Sequence, residues 1–415
     1  MTQSVTYDVV IIGGGAAGFF CACKLQELLP DSQICLLEKS SKVLSKVKIS
    51  GGGRCNVTHN VNYNSELVKH YPNGKNFLKR VFKKFSVSDT IEWFNTKGVK
   101  LKAEHDGRMF PITDSSQSII DVLLGNSIEK GVRLIKSYAV AEISKRNDHF
   151  MISAKAGSAS VYAKNVVLAT GGYPKAAQFD WLSNLGHSIN PPVPSLFTFN
   201  IPVDGLNHLK GLSVPAARVQ IAGEKLHYEG PLLITHWGLS GPAVLKLSAW
   251  GARMLNKSDY QFTILINWIA NNTEQSVVAD IKAFINDHPK KIVISNPLFG
   301  LPQRLWSELM QRAGVKDQLT FSNVGQKSIH KMLEMIYRMP LTVSGKTTYK
   351  EEFVTSGGVR LEEIDPNSME SKKIQNLYFV GEILDIDGIT GGFNFQSAWS
   401  TATVAADHIK QKINS

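Results

Sequence analysis

Apolar and polar positions follow several distinct rhythms along this chain. Residues 8–12 form a continuous apolar run, the mark of a parallel strand buried on both faces. A glycine turn follows, then a helix from residue 16 to about 29 and a second buried strand over 33–37. Over 75–85 the period becomes helical. Phe77, Leu78, Val81, Phe82 and Phe85 share one face, and Lys79, Arg80, Lys83 and Lys84 share the other. Ser88 is placed to cap a further helix that runs to about 97 and stops at Gly98. Beyond it the pattern predicts a turn at 107–111, a helix over 115–130 and short strands over 132–135, 138–144, 149–154 and 165–168.

Composition shifts at Pro191-Pro192-Val193-Pro194. From there to about 340 the pattern gives short strands (197–203, 218–221, 262–266), then helices over 274–285, 302–313 and 326–338. Pro242 is suited to open a helix reaching Trp250. A strand over 377–380 and a helix over 396–412 return to the opening style. The expected organisation is α/β. Residues 1–190 and 341–415 make one Rossmann-like nucleotide-binding domain, and 191–340 an inserted domain, strand-rich and then helical.

The first turn carries chemistry. Gly13, Gly15 and Gly18 have the G-x-G-x-x-G spacing between strand and helix, with Glu38 about 20 residues beyond, where an acid holds a ribose hydroxyl. That acid favours a free 2′-hydroxyl, hence FAD or NAD rather than NADP. Gly51-Gly52-Gly53-Arg54-Cys55-Asn56 is a loop whose backbone can approach a ligand, with Arg54 facing a phosphate or a ring edge; an ordinary glycine turn is the plainer alternative. Ala169-Thr170-Gly171-Gly172 fits a chain returning beneath the nucleotide. Gly391-Gly392, just before the last helix, would aim amides and a positive dipole end at an electron-rich group, or simply cap the helix. His236, in Thr235-His236-Trp237-Gly238, is either a proton donor or a structural histidine.

The 415 residues allow two or three domains, and 43% apolar with 20% charged content is ordinary for a globular protein. No run is long enough to span a bilayer, and the first strand begins within ten residues without a charged-then-apolar leader, so a cytoplasmic protein is expected. The four cysteines form no C-x-x-C pair. Cys21, Cys23 and Cys35 fall in buried elements, and Cys55 alone lies in a loop that can meet chemistry. Residues 39–102 hold 14 Lys or Arg against Glu66, Asp89 and Glu92, which accounts for the whole formal surplus of +11. A one-sign block implies an anionic partner or a solvated face.

Taken together, GGGAAG, SGGGRCNVT, ATGG, THWGLSGPA, TSGGV at 355–359 and LYFVGEILDIDGITGGFNFQSAWSTA resemble the HI0933-like flavoproteins, also described as the BaiN/RdsA family of NAD(P)/FAD-dependent oxidoreductases. The resemblance runs nearly end to end; Phe393 departs from the family's usual Tyr. It implies a glutathione-reductase-like FAD-binding domain in two parts, with an inserted barrel-like and helical domain. It puts the cofactor on Gly13, Gly15, Ala16, Ala17 and Gly18, with Glu38 on the ribose and Lys39, Lys46 and Val140 in the same set. Gly52, Gly53, Arg54, Cys55 and Asn56 would lie against the flavin, and Thr170, Gly171 and Gly172 beneath the nucleotide. Gly381, Glu382 and Asp385 would meet the ribityl chain, and Gly392, Phe393 and Asn394 the polar ring edge.

The implied activity is reduction of an activated carbon–carbon double bond, with NAD(P)H docking transiently as donor. The implied substrates are a uridine of 23S ribosomal RNA, reduced to dihydrouridine, or a small steroid-like enone. The basic 39–102 segment favours RNA. Cys55 and His236 are the candidate acids. A flavin-carrying RNA-binding factor without turnover is the alternative from another class. Oligomeric state is left open.

Overall fold

The computed structural model describes residues 6–146, 148–155, 159–202, 205–348 and 354–415. The chain divides into two compact units, Met1–Ser195 with Lys350–Ser415, and Leu196–Tyr349. These boundaries lie beyond the 190/191 and 340/341 read from composition, and strand pairing is the reason. Ile189–Ser195, despite its prolines, pairs antiparallel with Val354–Val359 inside the first unit. A register shift between Asn190 and Val193 accommodates two prolines that have no N–H to give. Met339–Thr347 closes the sheet of the second unit and so carries that unit past 340.

In the first unit the sheet runs Arg133–Ile135, Ile34–Leu37, Thr6–Ile12, Val161–Leu168, His149–Ala154, Val140–Arg146. The strand Val161–Leu168 is shared. Its first half alternates between buried and wetter positions and pairs antiparallel with His149–Ala154. Its last four residues are buried throughout and pair parallel with Leu377–Phe379 from the far end of the chain. The helix Ala16–Leu28 is buried almost all round, and the terminal helix Phe393–Ile413 packs along it. Phe20 is the hub of that packing, with ring centroids 5.8 Å from Phe85, 4.5 Å from Trp93 and 5.0 Å from Trp399.

Several element expectations need correcting. The basic helix is shorter, Lys75–Val81, and turns out of helix before Phe85. The next, Val87–Thr96, is capped by Ser86 rather than Ser88: the Asp89 carboxylate accepts from Ser86 N at 2.6 Å and from its hydroxyl at 2.8 Å. Residues 108–111 are not a turn but the middle strand, Arg108–Pro111, of a small sheet with Thr58–His59 and Leu101–Ala103. The helix expected over 115–130 breaks into Ser116–Gly125 and a short 3₁₀ turn, Ile128–Lys130.

The second unit holds a closed six-stranded barrel in the order Thr198–Asn200, Gly238–Ser240, His227–Ile234, Ser213–Ile221, Gln261–Asn267, Met339–Thr347. Alternate residues such as Val219, Ile221, Ile264, Ile266, Leu341 and Val343 supply its core. Only part of the strand expected over 197–203 forms, and Val203 lies outside the described residues. Helices Pro242–Lys257, Glu274–Asp287, Gln303–Arg312 and Gln326–Tyr337 complete the unit. Among the described residues no helix is long and apolar enough to cross a membrane.

Candidate functional site

The first unit gathers the fingerprint residues at the carboxyl end of Thr6–Ile12, where ligands of such sheets bind. Gly13 adopts φ 118°, and a Cβ there would fall 2.3 Å from the Ala169 carbonyl oxygen. A Cβ on Gly18 would fall 1.9 Å from the Gly13 oxygen, so these two glycines are required by the protein's own packing. Gly15 is different: a side chain there would meet nothing within 4 Å. It precedes the helix Ala16–Leu28, whose first-turn amides receive no side-chain cap. An open glycine face over uncapped amides is what a pyrophosphate needs.

Glu38 sits beside this turn. Its carboxylate accepts from Gly14 N at 2.7 Å and from Ser40 N and Oγ at 2.8 and 2.9 Å. Tyr138 N donates to the Glu38 carbonyl at 2.9 Å, which brings the strand start at Val140 to the same edge. Lys39 is exposed, with its ammonium 5.9 Å over the Tyr173 ring.

The C-terminal segment reaches the same turn. A Cβ on Gly381 would lie 2.8 Å from the Ala17 Cβ, so the loop rests directly on the fingerprint helix. Glu382 is clamped, accepting from Lys46 Nζ at 2.8 Å and from Thr355 N at 3.0 Å. Gly172 leaves room for Thr355: a Cβ at Gly172 would lie 2.8 Å from the Thr355 hydroxyl. That hydroxyl is buried without a hydrogen-bond partner among the described residues.

The glycine loop is resolved into separate roles. Gly52 and Gly53 are its exposed tip. Arg54 is held by the protein's own groups: its guanidinium donates to Glu104 at 2.6 Å, lies 3.6 Å from Asp114 and stacks over Phe110 at 4.0 Å. Cys55 is fully buried, and burial pushes its thiol up to about 12 against the opposing hydrogen bond from Ser50. Asn56, oriented to satisfy both neighbours, donates to the Thr58 carbonyl at 3.0 Å and accepts from Gly392 N at 3.1 Å. Gly392, at φ 92°, has no alternative residue, because a Cβ would strike the Thr58 carbonyl at 2.6 Å.

Phe393 is buried and packs against two imidazoles, His59 at 4.6 Å and His70 at 4.4 Å, both stacked on it and 6.1 Å from each other. The ring nitrogen Nδ1 of His59 lies 2.9 Å from the Gly391 carbonyl, so Nδ1 carries the proton and donates. Asn394 turns inward and staples its own loop, accepting from Gly388 N at 2.8 Å and donating to Gly388 O at 2.9 Å. Asp385 accepts from Asn190 Nδ2. Asp387, fully buried, accepts from Asn73 Nδ2 and from the Ser195 hydroxyl at 3.2 Å. Burial, with the neighbouring Asp385 charge, raises its carboxyl to about 7 against hydrogen bonds from Asn73, Ser195 and Ser356.

His59, His70, Asn73 and Asp387 escaped the sequence reading. Asp387 lay in plain view within the LDIDG run, but burial of an acid leaves no periodic signal. His236 belongs to the second unit, exposed in the turn after His227–Ile234, with its ring edge-on to Trp237 at 3.9 Å.

The model of the HI0933-like protein Rossmann domain matches residues 7–408. The chain belongs to the HI0933-like family. This HI0933-like chain is 28% identical to the ribosomal RNA dihydrouridine synthase of Haemophilus influenzae and 29% identical to that of Escherichia coli, over 97% of its own length and 98% of each relative. It is 25% identical to the 3-dehydro-bile acid delta(4,6)-reductase of Clostridium scindens, over 95% of the chain and 97% of the relative. Among solved structures its fold is similar to 3-ketosteroid-delta4-(5alpha)-dehydrogenase from Rhodococcus jostii, with a TM-score of 0.53 at 12% identity, covering 99% and 98% of the two chains.

The first unit is thus a Rossmann-like FAD-binding domain, and the chain a flavin-dependent oxidoreductase. The residues present fit the cofactor. The open face at Gly15 over uncapped amides suits a pyrophosphate, the Glu38 carboxylate at the same turn a ribose, and the orphaned Thr355 hydroxyl is a buried polar atom left for a ligand.

Proposed function

We propose that this flavoprotein reduces a uridine of 23S ribosomal RNA to dihydrouridine, with NAD(P)H as the electron donor. The observation that carries the reading is a face of uncompensated cations on the nucleotide-binding unit. Lys75, Lys79, Arg80 and Lys83 are exposed and form no ion pair with a described residue. Five other cations of the basic segment are neutralised: Lys46 pairs with Glu382, Arg54 with Glu104, Lys69 with Glu66, Lys97 with Glu27 and Lys102 with Asp114. Phosphate contact requires clustered free cations, whereas one steroid carboxylate needs one or two. The full-length similarity to two ribosomal RNA dihydrouridine synthases supports the same substrate.

In this reading the fingerprint amides and Gly15 hold the pyrophosphate, Glu38 the ribose, and Glu382 with Thr355 the ribityl region. When bound, FAD supplies the hydride that one carbon of the double bond must receive. The chain must deliver a proton to the other carbon. Cys55 Sγ keeps its proton at neutral pH, and the His236 imidazole is the second candidate. Whichever acts, its replacement by Ala should lower product formation by about 10²–10⁴-fold. If Cys55→Ala and His236→Ala each stay within a few-fold of wild type, both assignments go.

The reading is tested by nucleoside mass mapping of ribosomal RNA from a strain lacking the protein. One dihydrouridine should disappear, and an unchanged map overturns the RNA substrate. A second reading, reduction of a small enone, is favoured by the similarity to the bile-acid reductase. It expects turnover of free small molecules that is indifferent to salt.

A further inference from the structure

We propose that Tyr63 is a stacking platform for an unpaired base, so that the cationic face beside it takes single-stranded rather than duplex RNA. The proposal rests on the RNA reading above and narrows it to one class of RNA. Tyr63 is 71% exposed, the most exposed large hydrophobic side chain among the described residues. Its backbone is fixed: the Tyr63 carbonyl accepts from Glu66 N at 3.0 Å and Leu67 N at 2.9 Å, which closes the turn of helix Asn64–Leu67. A rigid aromatic held out in water loses little conformational entropy when a base settles on it.

Its place beside the cations is set by one hydrogen bond. Asn64 Nδ2 donates to the Phe82 carbonyl at 2.8 Å, tying the residue after Tyr63 to the end of the basic helix. Phe82 points inward and is buried, and Lys83, the next residue, is exposed. Lys75 and Lys79 are one helical turn apart, about 6 Å, with Arg80 flanking them, and Lys83 follows in the turn that ends the helix. Glu66, three residues from Tyr63, is already compensated by Lys69 at 2.8 Å. The patch is therefore a ring face bordered by a row of free cations, the two components that bind single strands.

A duplex can use the cations but not the ring, because its base faces are already covered by stacking. The chemistry makes the same demand. A uracil ring inside a stack has both faces covered, and reduction of its double bond requires one face to be reached.

The test uses the full-length flavoprotein, a labelled 12-nucleotide oligouridylate and a 12-base-pair RNA duplex, with affinities measured at two or more salt concentrations. Tyr63→Ala should weaken oligouridylate binding by about 5–100-fold, leave duplex binding within about twofold and leave the salt slope unchanged. Tyr63→Phe should bind like wild type. Lys79→Gln, Arg80→Gln and Lys83→Gln together should weaken both RNAs and flatten the single-strand slope by about 2. If the charge variant loses RNA but Tyr63→Ala does not, or if Tyr63→Ala weakens both RNAs equally, the platform is overturned while the RNA reading stands. If wild type binds neither RNA at low salt, both fall.

Discussion

At the scale of single residues, three glycines of one motif do different things. Gly13 and Gly18 are demanded by contacts within the protein, whereas Gly15 faces open space. Gly18→Ala should therefore fail to fold or unfold many degrees early. Gly15→Ala should fold and melt like wild type yet purify colourless, since its methyl occupies ground meant for the cofactor. Thermal melts read beside flavin content separate the two, and a yellow Gly15→Ala protein would refute the assignment. The motif was legible because its spacing is local; this division of labour was not, because it depends on Ala169, more than 150 residues away. Asp387 gives the pH dependence. Its folded carboxyl lies near 7, above the unfolded value, so its contribution to stability is complete below pH about 4 and is lost as pH rises through 7. The full shift corresponds to about 4 kcal/mol at most. Melting temperatures of wild type and Asp387→Asn should diverge between pH 5 and pH 8, with wild type losing several degrees relative to the variant. Parallel curves would mean that Asp387 titrates as an ordinary acid.

At the scale of elements, long periodic segments were readable and short paired ones were not. The helices over 274–285, 302–313 and 326–338 were placed within two residues, because each buries one apolar stripe. Thr58–His59, Leu101–Ala103 and Arg108–Pro111 are too short to show alternation and exist through their pairing. His227–Ile234 carries Gly230 and Pro231 in mid-strand, which disguises it. Site residues that hang on such short pieces, His59 above all, were hidden for the same reason. Phe20 shows how the helices depend on one another, since its ring meets Phe85, Trp93 and Trp399 from three helical segments or their ends. Phe20→Ala should cost about 3–5 kcal/mol in chemical denaturation. A loss below 1 kcal/mol would show that these helices do not pack through it.

At the scale of the whole chain, charge was the most legible property and connectivity the least. The block of cations at 39–102 is visible in the sequence, but which of them remain uncompensated depends on partners such as Glu104, Asp114 and Glu382. The barrel unit joins its own ends: Phe199 pairs with Lys346 across the closing strands. A fragment comprising 196–349 should therefore fold alone, melt cooperatively and bind no flavin. An unfolded fragment would show that the barrel depends on the rest of the chain.

The strand Val161–Leu168 has a timing consequence. Its last residues pair with Leu377–Phe379, and the fingerprint helix is covered by Phe393–Ile413. A nascent chain therefore emerges with one edge of its central strand unpartnered until residues 377–379 have been made, about 200 residues later. The nucleotide pocket is assembled only once 377–413 is in place, so cofactor loading must wait for that segment, and anything that delays its arrival prolongs the exposure of that edge.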